Sequence, residues 1–126
     1  MLMNVSCKKT NEQSLIPDGT YMGTFQRQTT TGGKIAKSKI NFSGSEWNGE
    51  IDSATYLYPY PGLCRGTYKS IGSDSIYFGN ECVWTTNFDG TLVLGNAYQI
   101  KLTGEHIEII RNYGNDVKGV YELVKQ

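Results

Sequence analysis

Between Ala97 and Tyr113 the chain reads AYQIKLTGEHIEIIRNY, with apolar and polar positions alternating on both sides of Gly104-Glu105. A period of two marks a half-buried strand, and a glycine-led dipeptide between two such runs predicts a two-residue hairpin turn. Folding the runs back about that turn sets Leu102 opposite Ile107, Ile100 opposite Ile109 and Tyr98 opposite Arg111. The other face then carries Lys101 against Glu108 and Thr103 against His106. One apolar face, one polar face and an oppositely charged pair across the ladder agree on a single register.

The same device recurs along the chain. Pro17-Asp18-Gly19 opens a strand from Thr20 to about Thr29, in which Tyr21, Gly23, Phe25 and Arg27 share a face. A turn at Gly32-Gly33 predicts Phe25 opposite Ile40 and Gly23 opposite Phe42. A second turn at Gly44-Ser45 sets Phe42 against Trp47 and Ser38 against Ile51, with Lys39–Glu50 and Lys37–Asp52 on the outer side. Pro59 and Pro61 keep the stretch Ala54–Gly62 out of any central strand.

Two further strands, Leu63–Ser70 and one from Ser75, flank a turn at Gly72-Ser73-Asp74. Their register puts Tyr68 opposite Phe78, Arg65 opposite Glu81 and Cys64 opposite Cys82. Facing cysteines predict a cross-strand disulfide, and with it an oxidising compartment. The second strand is expected to continue through Trp84 to Phe88, with an irregularity near Gly79-Asn80, into a hairpin turn at Asp89-Gly90. A bulge is expected at Gly95-Asn96. The last strand, Gly119–Lys125, follows a loop at Gly114–Lys118. It places Tyr121 opposite Arg111 and Leu123 opposite Ile109, with Glu122 and Val124 outward.

Successive hairpins with no helical period predict an all-β domain of eight antiparallel strands in up-and-down order. Closing the meander into a barrel removes its two exposed edges. Residues 16–126 form this single domain, and residues 1–15, polar and aperiodic, read as a flexible N-terminal tether. The tight turns at Gly44-Ser45, Gly72–Asp74 and Gly104-Glu105 gather at one end. The segments Thr29–Lys34, Ala54–Gly62, Phe88–Thr91 and Gly114–Lys118 form the other, the mouth.

Composition narrows the function. Twelve basic and twelve acidic residues give zero net charge with no block of one sign, which excludes the basic face of a nucleic-acid binder. No apolar run approaches the roughly 20 residues that span a bilayer. The one histidine, His106, lies on an outward face, so neither a metal cluster nor a Ser-His-Asp triad can be built on it. No phosphate-binding glycine loop is present. The expectation is a non-enzyme without cofactor or metal.

Three constellations are candidates for binding. Arg27 and Arg111 fall inward near the mouth with Tyr98 and Tyr121 beside Arg111. They form either an anion site above an apolar lumen or a cation–π plug with Arg27 turned to solvent. Tyr56, Tyr58 and Tyr60 make either an aromatic recognition surface or a lid. Trp84, with Trp47, Tyr68 and Phe78, lines a cavity or fills it.

Three stretches carry a family resemblance: Ile16 to Phe25, Cys64-Arg65-Gly66-Thr67-Tyr68, and Asn80 to Asp89. Through them, residues 14–125 resemble the lipocalin and fatty-acid-binding superfamily, most closely the small lipocalin-like lipoproteins of gut Bacteroides type. The resemblance implies an up-and-down barrel but no particular activity. Lipocalins carry Gly-x-Trp on the first strand with a late arginine over the ring. Gly19-Thr20-Tyr21 is a tyrosine variant, and Arg111 is the nearest counterpart of the arginine, set by the registers closer to the mouth than Tyr21. Val5-Ser6-Cys7-Lys8-Lys9 resembles a bacterial lipoprotein cleavage site, which implies lipidation of Cys7. The alternative is a cytosolic N-terminus with an unpaired cysteine.

The expectation is therefore a periplasmic or cell-surface protein, held at the outer membrane only through a lipid on Cys7. It binds a small hydrophobic or amphiphilic ligand, carboxylate-bearing in one form, or a protein partner through the Tyr56–Tyr60 loop.

Overall fold

A computed structural model describes residues 16–33, 35–51, 61–84 and 89–126. Cys7, Asp52, Tyr56, Tyr58, Tyr60 and residues 85–88 lie outside the described residues. Eight strands follow one another: β1 (Gly19–Gln28), β2 (Ile35–Ser43), β3 (Glu46–Ile51), β4 (Arg65–Ser70), β5 (Ser75–Phe78), β6 (Asn96–Thr103), β7 (His106–Gly114) and β8 (Val117–Lys125). Each pairs with its neighbour and β8 returns to β1, so the sheet is a closed antiparallel barrel.

Registers of the central hairpins agree with the sequence pattern. Ile100 faces Ile109 and Lys101 faces Glu108, Phe42 faces Trp47, and Tyr68 faces Phe78. Three of the expected outer ion pairs form, Lys39–Glu50 at 3.1 Å, Arg65–Glu81 at 3.7 Å and Lys101–Glu108 at 3.9 Å, whereas Lys37–Asp52 reaches outside the described residues. Each exposed pair contributes only about 0.2–1 kcal/mol, so their use is to mark register. Cys64 and Cys82 are bonded, with Cα atoms 6.3 Å apart.

Two registers differ from expectation. Phe25 faces Ala36 rather than Ile40, and Gly23 faces Ser38 rather than Phe42. The turn lies at Thr30-Thr31, closed by reciprocal Thr29–Gly32 backbone bonds of 3.0 Å and by the Thr29 hydroxyl on the Gly32 carbonyl. Gly32 supplies the positive φ, 91°, just after the turn rather than within it. Between β7 and β8, Tyr121 faces Ile109 and Leu123 faces Ile107. Here the expected five-residue loop is a tight Asn115-Asp116 turn, both residues at positive φ as a type I′ turn requires. A bulge at Asn112/Gly114 absorbs the change. Both displacements are even-numbered, so every side chain keeps its face.

Two elements are also shorter or different. β5 ends at Phe78 instead of running to Trp84, although Gly79 and Glu81 still donate to Thr67 and Arg65 at 2.8 and 2.9 Å. Asp89-Gly90 is not a hairpin turn. Asp89 caps a 3-10 turn over Gly90–Leu92, and its carboxylate accepts from the Thr91 amide.

The interior is packed. Trp47, Tyr21, Tyr121, Phe42 and Phe78 are fully buried in one continuous cluster. Phe42 meets Tyr21 and Tyr68 edge-on at 5.6 and 5.2 Å, and Phe78 meets Trp47 and Tyr98 edge-on at 6.0 and 5.5 Å. Ile16 seals the end where β1 begins: it is wholly buried, and the Tyr21 hydroxyl donates to the next carbonyl, Pro17, at 2.8 Å. Polar side chains face outward along the ladders, the inverse of a membrane-spanning barrel with its apolar outer band.

The β1–β8 seam depends on Gly23. A Cβ there would lie 1.9 Å from the Glu122 carbonyl oxygen, a backbone atom that can only move with its strand. Gly23→Ala should therefore destabilise the barrel by about 2–4 kcal/mol in urea unfolding. Gly90→Ala, with open space around it, should stay within about 0.5 kcal/mol.

Candidate functional site

The mouth is crossed by a strap, residues 89–95, between the described end of the Cys82 segment and β6. Leu92 and Leu94 point into the barrel and are 2% and 0% exposed, so the strap closes the lumen. Its backbone is held at consecutive positions. The Tyr113 hydroxyl donates to the Thr91 carbonyl. The Gly62 amide donates to the Leu92 carbonyl at 2.7 Å, and the Leu94 amide donates back to Gly62 at 3.0 Å. The Tyr98 hydroxyl reaches the Val93 carbonyl at 3.4 Å, Asn80 reaches that of Leu94 at 3.2 Å, and Arg111 reaches that of Gly95 at 3.0 Å.

Arg27 anchors the other end of the strap. Its guanidinium pairs with the Asp89 carboxylate at 3.2 Å and donates to the Thr91 hydroxyl at 2.7 Å. The side chains of Arg27 and Asp89 are only 16% and 31% exposed, so solvent screens this pair less than the outer-wall pairs. The Thr91 hydroxyl donates to Asp89 at 2.6 Å, and this bond, with the nearby Arg27 charge, holds the carboxyl below its ordinary value. Tyr113 stands between the two arginines, each guanidinium 5.1 Å from its ring centre.

The predicted site residues thus divide. Arg27, Arg111 and Tyr98 converge at the mouth as expected, but on the chain's own strap. Arg27 is not turned to solvent. Arg111 lies over Tyr98 at 5.7 Å and over Tyr113, not between Tyr98 and Tyr121 and not over Tyr21. Tyr121 sits one ladder step lower, its ring tilted on Phe25 at 4.7 Å. Trp47, Tyr68 and Phe78 fill the core, whereas Trp84 is half-buried outside that cluster and donates to Asn80 at 3.3 Å. Asn80 also accepts from the Cys82 amide at 3.0 Å, so the disulfide segment and the strap share one side chain.

Sequence reading passed over Tyr113, Asn80 and Asp89 as site residues. Tyr113 had a signal, because it extends the inward series Ile107, Ile109, Arg111 along β7. Asp89 in Asp-Gly read as turn chemistry, and Asn80 carried no periodic signal.

Two buried polar atoms at the mouth have no hydrogen-bond partner among the described residues, Nε of Arg27 and the hydroxyl of Tyr121. Burial raises the Tyr121 and Tyr98 phenols far above their ordinary value, so both remain neutral donors. A separate open groove of about 750 Å³ runs along the wall of β1–β3, beside Met22, Lys37, Lys39 and Glu50. Among the described residues, no three His, Cys, Asp or Glu side chains gather to hold a metal ion. Comparison with family models, with curated proteins and with solved structures finds no match for this chain.

Asp89 gives the mouth a pH dependence. Its folded pKa lies below the unfolded value of about 3.9, so its stabilisation is present above that pH and is lost as pH falls through the folded pKa. Asp89→Asn should cost about 0.5–1 kcal/mol at pH 7. The difference from wild type should shrink as pH falls below the unfolded value and vanish once the folded carboxyl is protonated, in paired urea titrations.

Proposed function

We propose that this chain is a non-enzymatic extracytoplasmic binding protein of lipocalin-like type, acting as a protein-binding module. The packed and strapped barrel carries the reading. With aromatic side chains filling the interior and the mouth arginine Arg27 tied to Asp89, recognition falls to the outer surface at the mouth end. The Cys64–Cys82 bond supports a location outside the reducing cytoplasm, and lipidation at Cys7 would hold the module at the outer membrane. In the sequence, Tyr56, Tyr58 and Tyr60 stand beside Pro59 and Pro61, a composition that would supply aromatic contact area at low entropic cost. The partner is a protein at the same surface, an enzyme to be inhibited or a complex to be joined.

One observation favours a second reading, a small amphiphilic ligand held at the mouth. Nε of Arg27 and the hydroxyl of Tyr121, without a partner among the described residues, are buried donors that a ligand oxygen would satisfy.

Native mass spectrometry of protein from its own source, followed by affinity capture, separates the readings. The module reading predicts a mass without bound small molecule and a protein partner whose recovery falls at least about tenfold when residues 56–60 are replaced by a Gly-Ser linker. A co-purifying organic species of defined mass would replace it with the second reading.

A further inference from the structure

The strap is held as a peptide ligand is held. Five consecutive carbonyls, Thr91 to Gly95, accept from Tyr113, Gly62, Tyr98, Asn80 and Arg111 in turn. Four of those donors are side chains projecting from the barrel wall or the disulfide segment, and the fifth is a backbone amide making a parallel bridge between Gly62 and Val93. Side-chain specificity is layered on this backbone recognition: a carboxylate on Arg27, then aliphatic groups three and five residues later in two buried positions. Backbone bonds plus side-chain pockets are the physical recipe for binding a peptide, here one that makes a 3-10 turn at Gly90–Leu92 and runs on extended from Val93.

We infer that the barrel mouth is a peptide-recognition site occupied in cis by residues 89–95. Its partner in trans is a segment in which an acidic residue caps a single 3-10 turn and is followed, three and five positions on, by aliphatic ones. This deepens the protein-binding reading by naming what the partner presents. The site is closed in the isolated chain because a tethered strap competes at an effective concentration in the millimolar range. A partner segment enters by displacing Asp89 from Arg27 and the leucines from the lumen mouth. The Arg27 side chain, with Nε buried and without a partner among the described residues, retains one donor that the strap does not use and that an incoming carboxylate can take.

The test uses the full chain and a fluorescent peptide, acetyl-Asp-Gly-Thr-Leu-Val-Leu-Gly-amide, read by polarisation. The variant Asp89→Asn/Leu94→Ala weakens the strap and leaves every donor of the site in place. Its affinity for the peptide should exceed that of wild type by about tenfold or more. Replacing the peptide's Asp by Asn should cost the strap-weakened protein about tenfold, and Arg27→Ala in the same background should abolish that difference. Asp89→Asn alone, which keeps both leucines seated, serves the same comparisons if the double variant loses its near-ultraviolet dichroism. Equal binding of the Asp, Asn and scrambled peptides, or no binding to a folded strap-weakened protein, overturns the inference. A peptide-bound species that appears only as a dimer of the chain assigns the strap to self-exchange and overturns the proposal of a distinct partner. A partner captured through residues 56–60 with no peptide binding overturns this inference alone. Peptide binding with no captured partner supports the site and removes the broader reading.

Discussion

Closure of β8 onto β1 is the constraint on which the rest of this molecule depends. An eight-stranded barrel is only wide enough to be filled by its own side chains or to hold one small ligand. Here the seam demands a strand approach so close that position 23 carries no Cβ. Once the cylinder is that narrow, Tyr21, Phe42, Tyr68, Phe78, Trp47 and Tyr98 occupy its interior in a chain of ring contacts, with Phe25 and Tyr121 packed against each other in the same cluster. The wall therefore determines the contents, which are the chain's own side chains.

A closed wall still has two open ends, and the two are sealed differently. Ile16 enters from the N-terminal side, fixed by tyrosine hydroxyls that reach the Ile16 and Pro17 carbonyls from below. At the mouth, Leu92 and Leu94 enter from a strap whose backbone cannot join any strand ladder beyond the single bridge at Gly62. Buried carbonyls without partners are costly, and the side chains of Tyr98, Asn80, Arg111 and Tyr113 take over the role that a neighbouring strand would have. The mouth polar residues are thus explained first by the strap. Their ability to recognise another chain follows from the same geometry.

Much of this was legible in the sequence because a barrel strand has one apolar face and a turn has its own chemistry. Parity alone placed Tyr21, Phe25, Ile100, Ile109 and Arg111 inward, and facing positions alone paired Cys64 with Cys82. Register was less secure where turn chemistry was ambiguous. Gly32-Gly33 offered the obvious turn, but Thr29 and Thr31 hydroxyls closed a tighter one two residues earlier. Asn115-Asp116 formed a type I′ turn without the customary glycine. The strap escaped entirely, since Asp-Gly-Thr-Leu-Val-Leu reads as turn and strand while its fold is set by contacts from Arg27, Gly62, Asn80, Tyr98, Arg111 and Tyr113. Such distant contacts leave no local periodicity to read.

The strap is docked in the mouth as part of the folded barrel. Amide hydrogen exchange at Leu94, whose N–H donates to Gly62, tests this docking most directly. Leu94 and Gly62 should exchange at least about 100-fold more slowly than the free-chain rate, together with each other and below the protection of Ile109 in β7. Exchange of both amides at the free-chain rate, with Ile109 still protected, would show an open mouth and contradict the docking.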